Sequence, residues 1–97
     1  MEFVQIIEYR TKKADEMAQL GEEWEKAAAG QRATTRIIVA RDHDDPERQF
    51  NIVFFPSYED AMANSALPET DEFAKRMMAL ADGPATFYNL DVVDDRS

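Results

Sequence analysis

The chain has 97 residues, of which 20 are acidic and 11 basic, giving a net charge of −9, and it contains no cysteine. Because cores divide only beyond roughly 250 residues, we expect one domain over residues 1–97. The lack of cysteine excludes disulfides, thiolate metal sites and cysteine nucleophiles, and the acidic balance repels nucleic-acid phosphates and anionic membranes. No apolar run approaches the ~18 residues of a membrane helix and the start lacks signal-peptide features, so we expect a cytoplasmic protein.

The first part of the chain predicts a strand, a helix and a second strand. Residues 3–9 (FVQIIEY) are rich in β-branched and aromatic side chains, which is typical of a strand. From Asp15 to Ala29 apolar residues recur at steps of three and four, which predicts an amphipathic helix that stops near Gly30. Residues 34–41 (TTRIIVAR) predict the second strand.

The rest of the chain predicts a hairpin loop, a third strand, a short helix, a longer helix and a fourth strand. They cover residues 42–48, 50–55, 58–64, 68–81 and 86–93, respectively. Ser57 and Asp60 form a variant of the capping box that opens the short helix, and Pro68 suits the first position of the longer one.

This order of elements predicts an α+β fold. Two right-handed β-α-β units joined by a hairpin are satisfied by an antiparallel sheet of order 4-1-3-2 with the helices on one face. The sequence therefore predicts a ferredoxin-like β-α-β-β-α-β sandwich.

Side chains alternate between the two faces of a strand, so each strand can be divided into a helix-facing and an open set. Phe50, Ile52 and Phe54 share a face without polar interruption, and we assign that face to the helices. The same choice turns Val4, Ile6, Ile37, Val39, Tyr88, Leu90 and Val92 toward the helices. The predicted open face then carries Phe3, Gln5, Ile7, Tyr9, Arg36, Ile38, Asn51, Val53, Phe55, Phe87, Asn89 and Asp91.

An open face with so many large apolar side chains predicts a homodimer, because soluble monomers seldom expose a patch of several hundred Å². Its polar members Gln5, Arg36, Asn51 and Asn89, one from each strand, predict a polar belt among apolar walls, which is typical of a small-molecule pocket. The candidate ligand-binding residues are Gln5, Tyr9, Arg36, Asn51, Phe55, Asn89 and Asp91.

Two alternatives stay open for the polar candidates. Asp91 and Arg36 either form a structural pair, within one chain or across a dimer, or contact a ligand. Tyr9 and Tyr88 either donate phenolic hydrogen bonds to a substrate or pack with the hydroxyl at the rim. No residue is predicted to be catalytic.

The loop Asp42-His43-Asp44-Asp45 contains metal-ligand residue types, but its spacing matches no metal motif. We interpret it as a solvated turn, and His43 at a loop tip lacks the burial or the partner that a general base needs. We predict no metal and no cofactor.

The order of elements, together with Asn64-Ser65-Ala66-Leu67-Pro68-Glu69-Thr70 feeding a helix that ends at Asp82-Gly83-Pro84, resembles the dimeric α/β-barrel superfamily. This superfamily includes antibiotic-biosynthesis monooxygenase-like proteins and small uncharacterised bacterial members. The resemblance implies a homodimer whose substrate sits between sheet and helices or inside the barrel. Haem-degrading members use a helix-borne histidine with an asparagine and a tryptophan, whereas here His43 lies in the hairpin and Trp24 lies on the predicted apolar stripe of the first helix.

Two classes of function follow. The first is a homodimeric small-molecule-binding protein, a cofactor-independent monooxygenase-like or isomerase-like enzyme that acts on an aromatic or polyketide-like metabolite. The second is a non-catalytic dimeric module for sensing or scaffolding, which a barrel interior filled by its own side chains would favour. A metal-dependent enzyme that uses His43 is a third, weaker hypothesis.

Overall fold

The computed structural model of the protein describes residues 1–30 and 33–96. In this part of the chain the elements follow the order strand, helix, strand, strand, helix, helix, strand. They are β1 (Phe3–Arg10), α1 (Ala14–Ala27), β2 (Arg36–Arg41), β3 (Arg48–Phe55), α2 (Tyr58–Ser65), α3 (Pro68–Leu80) and β4 (Thr86–Asp91).

The four strands form one antiparallel sheet of order β2-β3-β1-β4, which is the predicted order read from the other edge. At its centre Ile52 of β3 lies opposite Ile6 of β1 and Ile38 of β2. The ferredoxin-like α+β fold predicted from the sequence is confirmed.

Local sequence signals fix the ends of the helices. The Ser57 hydroxyl accepts a hydrogen bond of 3.2 Å from the Asp60 amide and donates one of 3.0 Å to the Asp60 carboxylate, which confirms the capping function predicted for this pair. Pro68 occupies the first turn of α3. Gly30, three residues past the end of α1, has φ of 81°, a conformation that favours glycine.

The helices cover the face of the sheet that carries Phe3, Ile7, Tyr9 and Phe55. Ile7 and Tyr9 pack with Met17 and Leu20 of α1 and with Met77 of α3, while Phe3 and Phe55 pack with Ala61 of α2. The predicted division of faces is therefore wrong for β1, β3 and β4. It is right for β2, where Ile37 and Val39 lie opposite Val53 and Asn51 on the helix side.

The open face carries the larger apolar set instead, together with Glu8, Arg10, Arg36 and Arg48. Its apolar members, read from the pairing of the strands, are Val4, Ile6, Ile38, Phe50, Ile52, Phe54, Tyr88 and Leu90. The physical reason for the error is that a continuous apolar stripe was taken to mark the core beneath the helices. In this protein the helix side accepts polar side chains because they border a cleft rather than a solid core.

None of the helices in the described ranges 1–30 and 33–96 combines the length and the apolar character that crossing a membrane requires.

Gly21 lies inside α1, and a Cβ built on it would meet no heavy atom within 4 Å. Gly21→Ala is expected to raise the free energy of unfolding by about 0.5–1 kcal/mol, because glycine costs that much in a helix interior. Urea denaturation followed by circular dichroism measures the change. The matched control is Gly83→Ala at φ of 90°, which is expected to lower stability; an unchanged or lower midpoint for Gly21→Ala would contradict the prediction.

Candidate functional site

The two buried clusters lie at opposite ends of the helix-facing side of β1 and leave a gap between them. Phe3 belongs to one cluster, Ile7 and Tyr9 belong to the other, and Gln5 stands between them. A cleft of about 560 Å³ opens there between the sheet and helices α1 and α3. Ligand pockets for small molecules span roughly 300–1,000 Å³, so the cleft has the size of such a pocket.

Large apolar side chains form the walls of the cleft. The ring centroids of Trp24 and Phe73 lie 5.8 Å apart across α1 and α3, and the Trp24 Nε1 donates a hydrogen bond of 3.1 Å to the Thr70 hydroxyl. This contact ties the two helices together over the cleft. The remaining apolar lining includes Ile7, Met17, Ile37, Val39, Val53, Phe55, Met77 and Phe87.

The floor of the cleft is polar. The Tyr9 hydroxyl lies 3.1 Å from Gln49 Oε1 and 3.0 Å from Asn51 Oδ1. Since a phenol has one proton, it donates to one of these oxygens at a time, which leaves the other oxygen available to a further donor. The Gln5 Nε2 donates a hydrogen bond of 3.1 Å to Asn89 Oδ1.

Burial raises the pKa of Tyr9 to about 12. The phenol therefore stays protonated at neutral pH. In this site Tyr9 can donate a hydrogen bond, but it cannot act as a base.

Asn64 is a cleft residue that the sequence analysis missed. It is only 7% exposed, its Oδ1 has no hydrogen-bond partner, and its side chain borders the cleft. An unpaired buried polar atom costs about 1–3 kcal/mol, so a ligand donor at this oxygen would recover free energy. The only signal in the sequence was that Asn64 is an amide residue at the end of a predicted short helix, and we assigned no function to that position. Gln49 was missed because we began the third strand one residue after it.

The structure brings together most of the predicted site residues, but not all of them. Gln5, Tyr9, Asn51 and Phe55 line the cleft, and Asn89 supports Gln5 through its hydrogen bond.

Arg36 and Asp91 lie apart from these residues. Arg36 lies on the open face, opposite Phe54, with its guanidinium 5.8 Å from the centre of that ring. Asp91 lies opposite Phe3 on the helix side and is exposed. The predicted belt of four polar residues on one face is therefore wrong for Arg36. Asp91 and Arg36 do not meet within one chain, because they lie on opposite faces at opposite edges of the sheet.

Tyr88 lies on the open face and not at the rim of the cleft. Its hydroxyl donates a hydrogen bond of 2.8 Å to Glu8. The hydroxyl of Tyr88 therefore has a partner within the chain, at one end of the open face.

Ion pairs connect the hairpin loop between β2 and β3 to the ends of β1 and β3. Arg10 contacts Asp45 at 2.6 Å, and Arg48 contacts both Asp42 at 2.9 Å and Glu8 at 2.8 Å. His43 is exposed. Within residues 1–30 and 33–96, no group of three or more side chains is arranged to hold a metal ion.

These ion pairs make stability depend on pH. Hydrogen bonds from Arg48 and Tyr88 lower the pKa of Glu8 from 4.5, and the Asp44 amide and Arg48 lower the pKa of Asp42 from 3.8. A lowered folded-state pKa adds stability above the unfolded value and loses it as the pH falls through the folded value. We expect the urea midpoint to fall as the pH drops below about 4.5, and the fall to be shallower in Arg48→Met.

The matched control for Arg48→Met is Arg96→Met, since Arg96 is exposed and contacts Asp94 near the end of the chain. Urea titrations at a series of acidic pH values measure the slope for each variant. Equal slopes in Arg48→Met and the unchanged protein would contradict the assignment.

Comparison with known proteins identifies the fold through solved structures, whereas comparison of the sequence alone finds no match. No protein-family model matches the chain, and no curated protein matches it significantly in sequence. Many solved structures do match, and this likeness establishes the fold.

Three of these structures cover nearly the whole chain. SnoaB, a cofactor-independent oxygenase from Streptomyces nogalater, has 14% identity and a TM-score of 0.83 over 98% of this chain and 96% of its own. Rv0793 from Mycobacterium tuberculosis has 10% identity and a TM-score of 0.81 over all of both chains. A Nitrosomonas europaea protein assigned to the antibiotic biosynthesis monooxygenases has 13% identity and a TM-score of 0.79 over 95% of this chain and 90% of its own. The chain therefore shares the fold of the antibiotic-biosynthesis monooxygenase-like proteins, and the resemblance predicted from the sequence is confirmed at that level.

Proposed function

We propose that the protein is a homodimer that binds a small aromatic molecule in the cleft between its sheet and helices α1 and α3. The observation that carries the proposal is the cleft of about 560 Å³ itself, with aromatic walls from Trp24 and Phe73 and a polar floor from Tyr9 and Asn51. Apolar walls with a few polar groups that fix orientation are typical of ligand sites.

The dimer is supported by the open face of the sheet. Among its residues, Tyr88 is 41% and Leu90 is 43% exposed in the single chain, and Ile6, Ile38 and Ile52 form its centre. A second copy of the same face is the simplest cover for such a patch, because a two-fold axis makes one surface complementary to itself. We therefore still propose a dimer through the open face. The side chains on that face differ from those predicted from the sequence for β1, β3 and β4.

Cofactor-independent oxygenation is the activity that we propose for the cleft. The fold is shared with an oxygenase that uses no cofactor, and such chemistry needs a pocket that orients an electron-rich substrate and excludes water. Here Trp24 and Phe73 would exclude water, and the amides of Asn51 and Asn64 would orient a phenol by hydrogen bonds. Tyr9 would hold its proton and serve as a donor.

Asn51→Leu is expected to weaken ligand binding at least about tenfold and to leave the dimer intact, because Asn51 contacts the cleft and not the open face. Asn89→Leu is expected to have a smaller effect, since Asn89 acts by holding Gln5. The measurement is a thermal-shift screen of polyhydroxylated naphthalenes and anthracenes, followed by titration of the compounds that bind. Unchanged binding in both variants would remove the cleft assignment.

Turnover is tested with the compounds that bind. Oxygen uptake, measured with an electrode and with no added cofactor, is expected to exceed the spontaneous rate, and uptake is expected to fall in Asn51→Leu in parallel with binding.

A non-catalytic sensing module is the second candidate, and one observation favours it. Among the described residues of the cleft no histidine or lysine is present to act as a base near neutral pH, and His43 lies in the distant hairpin. Tight binding without oxygen uptake or change of the ligand would select this candidate.

A further inference from the structure

We propose that the cleft recognises its aromatic ligand by a lactam edge, which is a ring N–H beside a carbonyl oxygen as in pyridone, pteridine and purine rings, and that the amide of Asn64 binds this edge. The inference rests on the proposed small-molecule function and adds the chemical class of the ligand. One side chain carries it, because that side chain is buried, borders the cleft and has no hydrogen-bond partner.

Asn64 presents a complete amide edge to the cleft. The residue is only 7% exposed and borders the cleft, and its Oδ1 is buried without a partner. Within residues 1–30 and 33–96 its Nδ2 makes no hydrogen bond either. A primary amide holds an acceptor and a donor side by side, so this edge can accept one hydrogen bond and donate another to the same ligand.

The other amides of the cleft have one atom directed at a neighbour in the chain. The Gln5 Nε2 donates to an amide oxygen of β4. The oxygens of Gln49 and Asn51 both lie within hydrogen-bond distance of the Tyr9 hydroxyl. Asn64 differs from these three because both atoms of its amide remain for a ligand.

The turn between α2 and α3 fixes the backbone that carries this amide. Asn64 is the last residue but one of α2, and its carbonyl oxygen accepts a hydrogen bond of 3.2 Å from the Leu67 amide. The Ala66 amide donates one of 3.1 Å to the Met62 carbonyl, and α3 begins at Pro68. Because the backbone is hydrogen-bonded on this side, little of its conformational freedom is lost when a ligand binds.

The cleft favours a flat ring that has both a donor and an acceptor. Trp24, Phe55 and Phe73 border it, and aromatic side chains pack well against a planar ring. A ligand with acceptors alone leaves Oδ1 unpaired, and a ligand with donors alone leaves Nδ2 unpaired. A lactam satisfies both atoms with two hydrogen bonds to one side chain, as an asparagine does when it pairs with the edge of adenine.

The test compares two probes that differ in one ring atom. Carbostyril is a flat bicyclic lactam, and coumarin is the same ring system with an oxygen in place of the N–H. Titration of the full chain is expected to give a dissociation constant at least about tenfold lower for carbostyril, because coumarin sets a ring oxygen against the Asn64 Oδ1.

The measurement is a series of proton–nitrogen NMR spectra recorded as each probe is added. Trp24 is the only tryptophan of the chain and lies in the wall of the cleft. Its single indole N–H peak therefore reports binding in the cleft and not on the open face of the sheet.

Variants of Asn64 test the assignment to this residue. Asn64→Leu and Asn64→Ala both remove the amide edge, and each is expected to abolish the preference for carbostyril while coumarin still binds. Two variants are used so that a folding defect in one does not decide the result. Gln19→Met removes an exposed amide of α1 outside the cleft and is expected to preserve the preference.

The outcomes separate this inference from the proposed function. Equal affinity of carbostyril and coumarin for the cleft of the unchanged protein would overturn the lactam recognition and leave the small-molecule function standing. A preference that persists in both Asn64 variants would overturn the assignment to Asn64. If neither probe shifts the Trp24 peak, the lactam recognition is wrong, and the proposed function is then decided by the screen of polyhydroxylated naphthalenes and anthracenes.

Discussion

Ile52→Asp is expected to convert the dimer into a monomer. Ile52 lies at the centre of the open face, opposite Ile6 on one neighbouring strand and Ile38 on the other. In a two-fold dimer through this face, each aspartate would be buried at the centre of the apolar patch, beside Ile6 and Ile38. An unpaired buried charge costs several kcal/mol, so we expect association to weaken by about a thousandfold or more. Size-exclusion chromatography with light scattering at micromolar protein measures the mass directly.

Two controls make the result specific to the interface. Ile52→Val keeps the apolar surface and should preserve the dimer. Met78→Asp places the same charge on an exposed apolar residue of α3, on the helix side of the molecule, and should also preserve it. A dimer that survives Ile52→Asp, or a monomeric unchanged protein, would remove the open face as the interface and with it the homodimer in the proposed function.

The order and type of the elements could be predicted from the sequence because each depends on local patterns. The period of three to four residues in α1, the cap at Ser57 and the proline at the start of α3 act within a few residues, and the structure has all three. The sheet order followed from the rule on right-handed crossovers, which needs only the sequence of elements.

Which face of the sheet the helices cover could not be predicted from alternation alone, because a period of two residues describes both faces equally well. On β1, the residues that share a face with Val4 and Ile6 include Glu8 and Arg10, and on β3 Arg48 shares the face of Phe50. These charges were evidence that the stripe did not lie beneath helices. Arg10 and Arg48 fell outside the predicted strands, whereas Glu8 lay inside the first one and was given no weight. For β2 the exposed Arg36 marked the open side, and the prediction there was right.

The cleft could be predicted only in part. Gln5, Tyr9 and Asn51 were correctly grouped on one face, because strand pairing brings them together. Their position beneath helices follows from tertiary packing: α1 and α3 close over the cluster around Tyr9, and α2 closes over the cluster around Phe3. The space between the clusters depends on where the three helices sit, and no local pattern encodes it.

Asn64→Leu is expected to make the protein more stable and less able to bind its ligand. Asn64 is buried with an unpaired Oδ1, and leucine has the same number and branching of side-chain heavy atoms without a polar one. Removing the unpaired group should raise the free energy of unfolding by about 1–3 kcal/mol. If the oxygen serves to accept a hydrogen bond from the ligand, the same change should weaken binding of the polyhydroxylated naphthalenes that bind the unchanged protein by about tenfold.

Opposite effects on stability and binding distinguish a functional amide from a packing defect, because natural sites commonly trade stability for function. Urea denaturation and fluorescence titration on the same preparation measure both quantities. Ala63→Leu, at the neighbouring exposed position of α2, is the control and should change neither by much. A variant that is more stable and binds these naphthalenes as well as the unchanged protein does would show that Asn64 has no role in the cleft. A variant that loses stability would show that Oδ1 has a partner in solution, and the amide would then be structural.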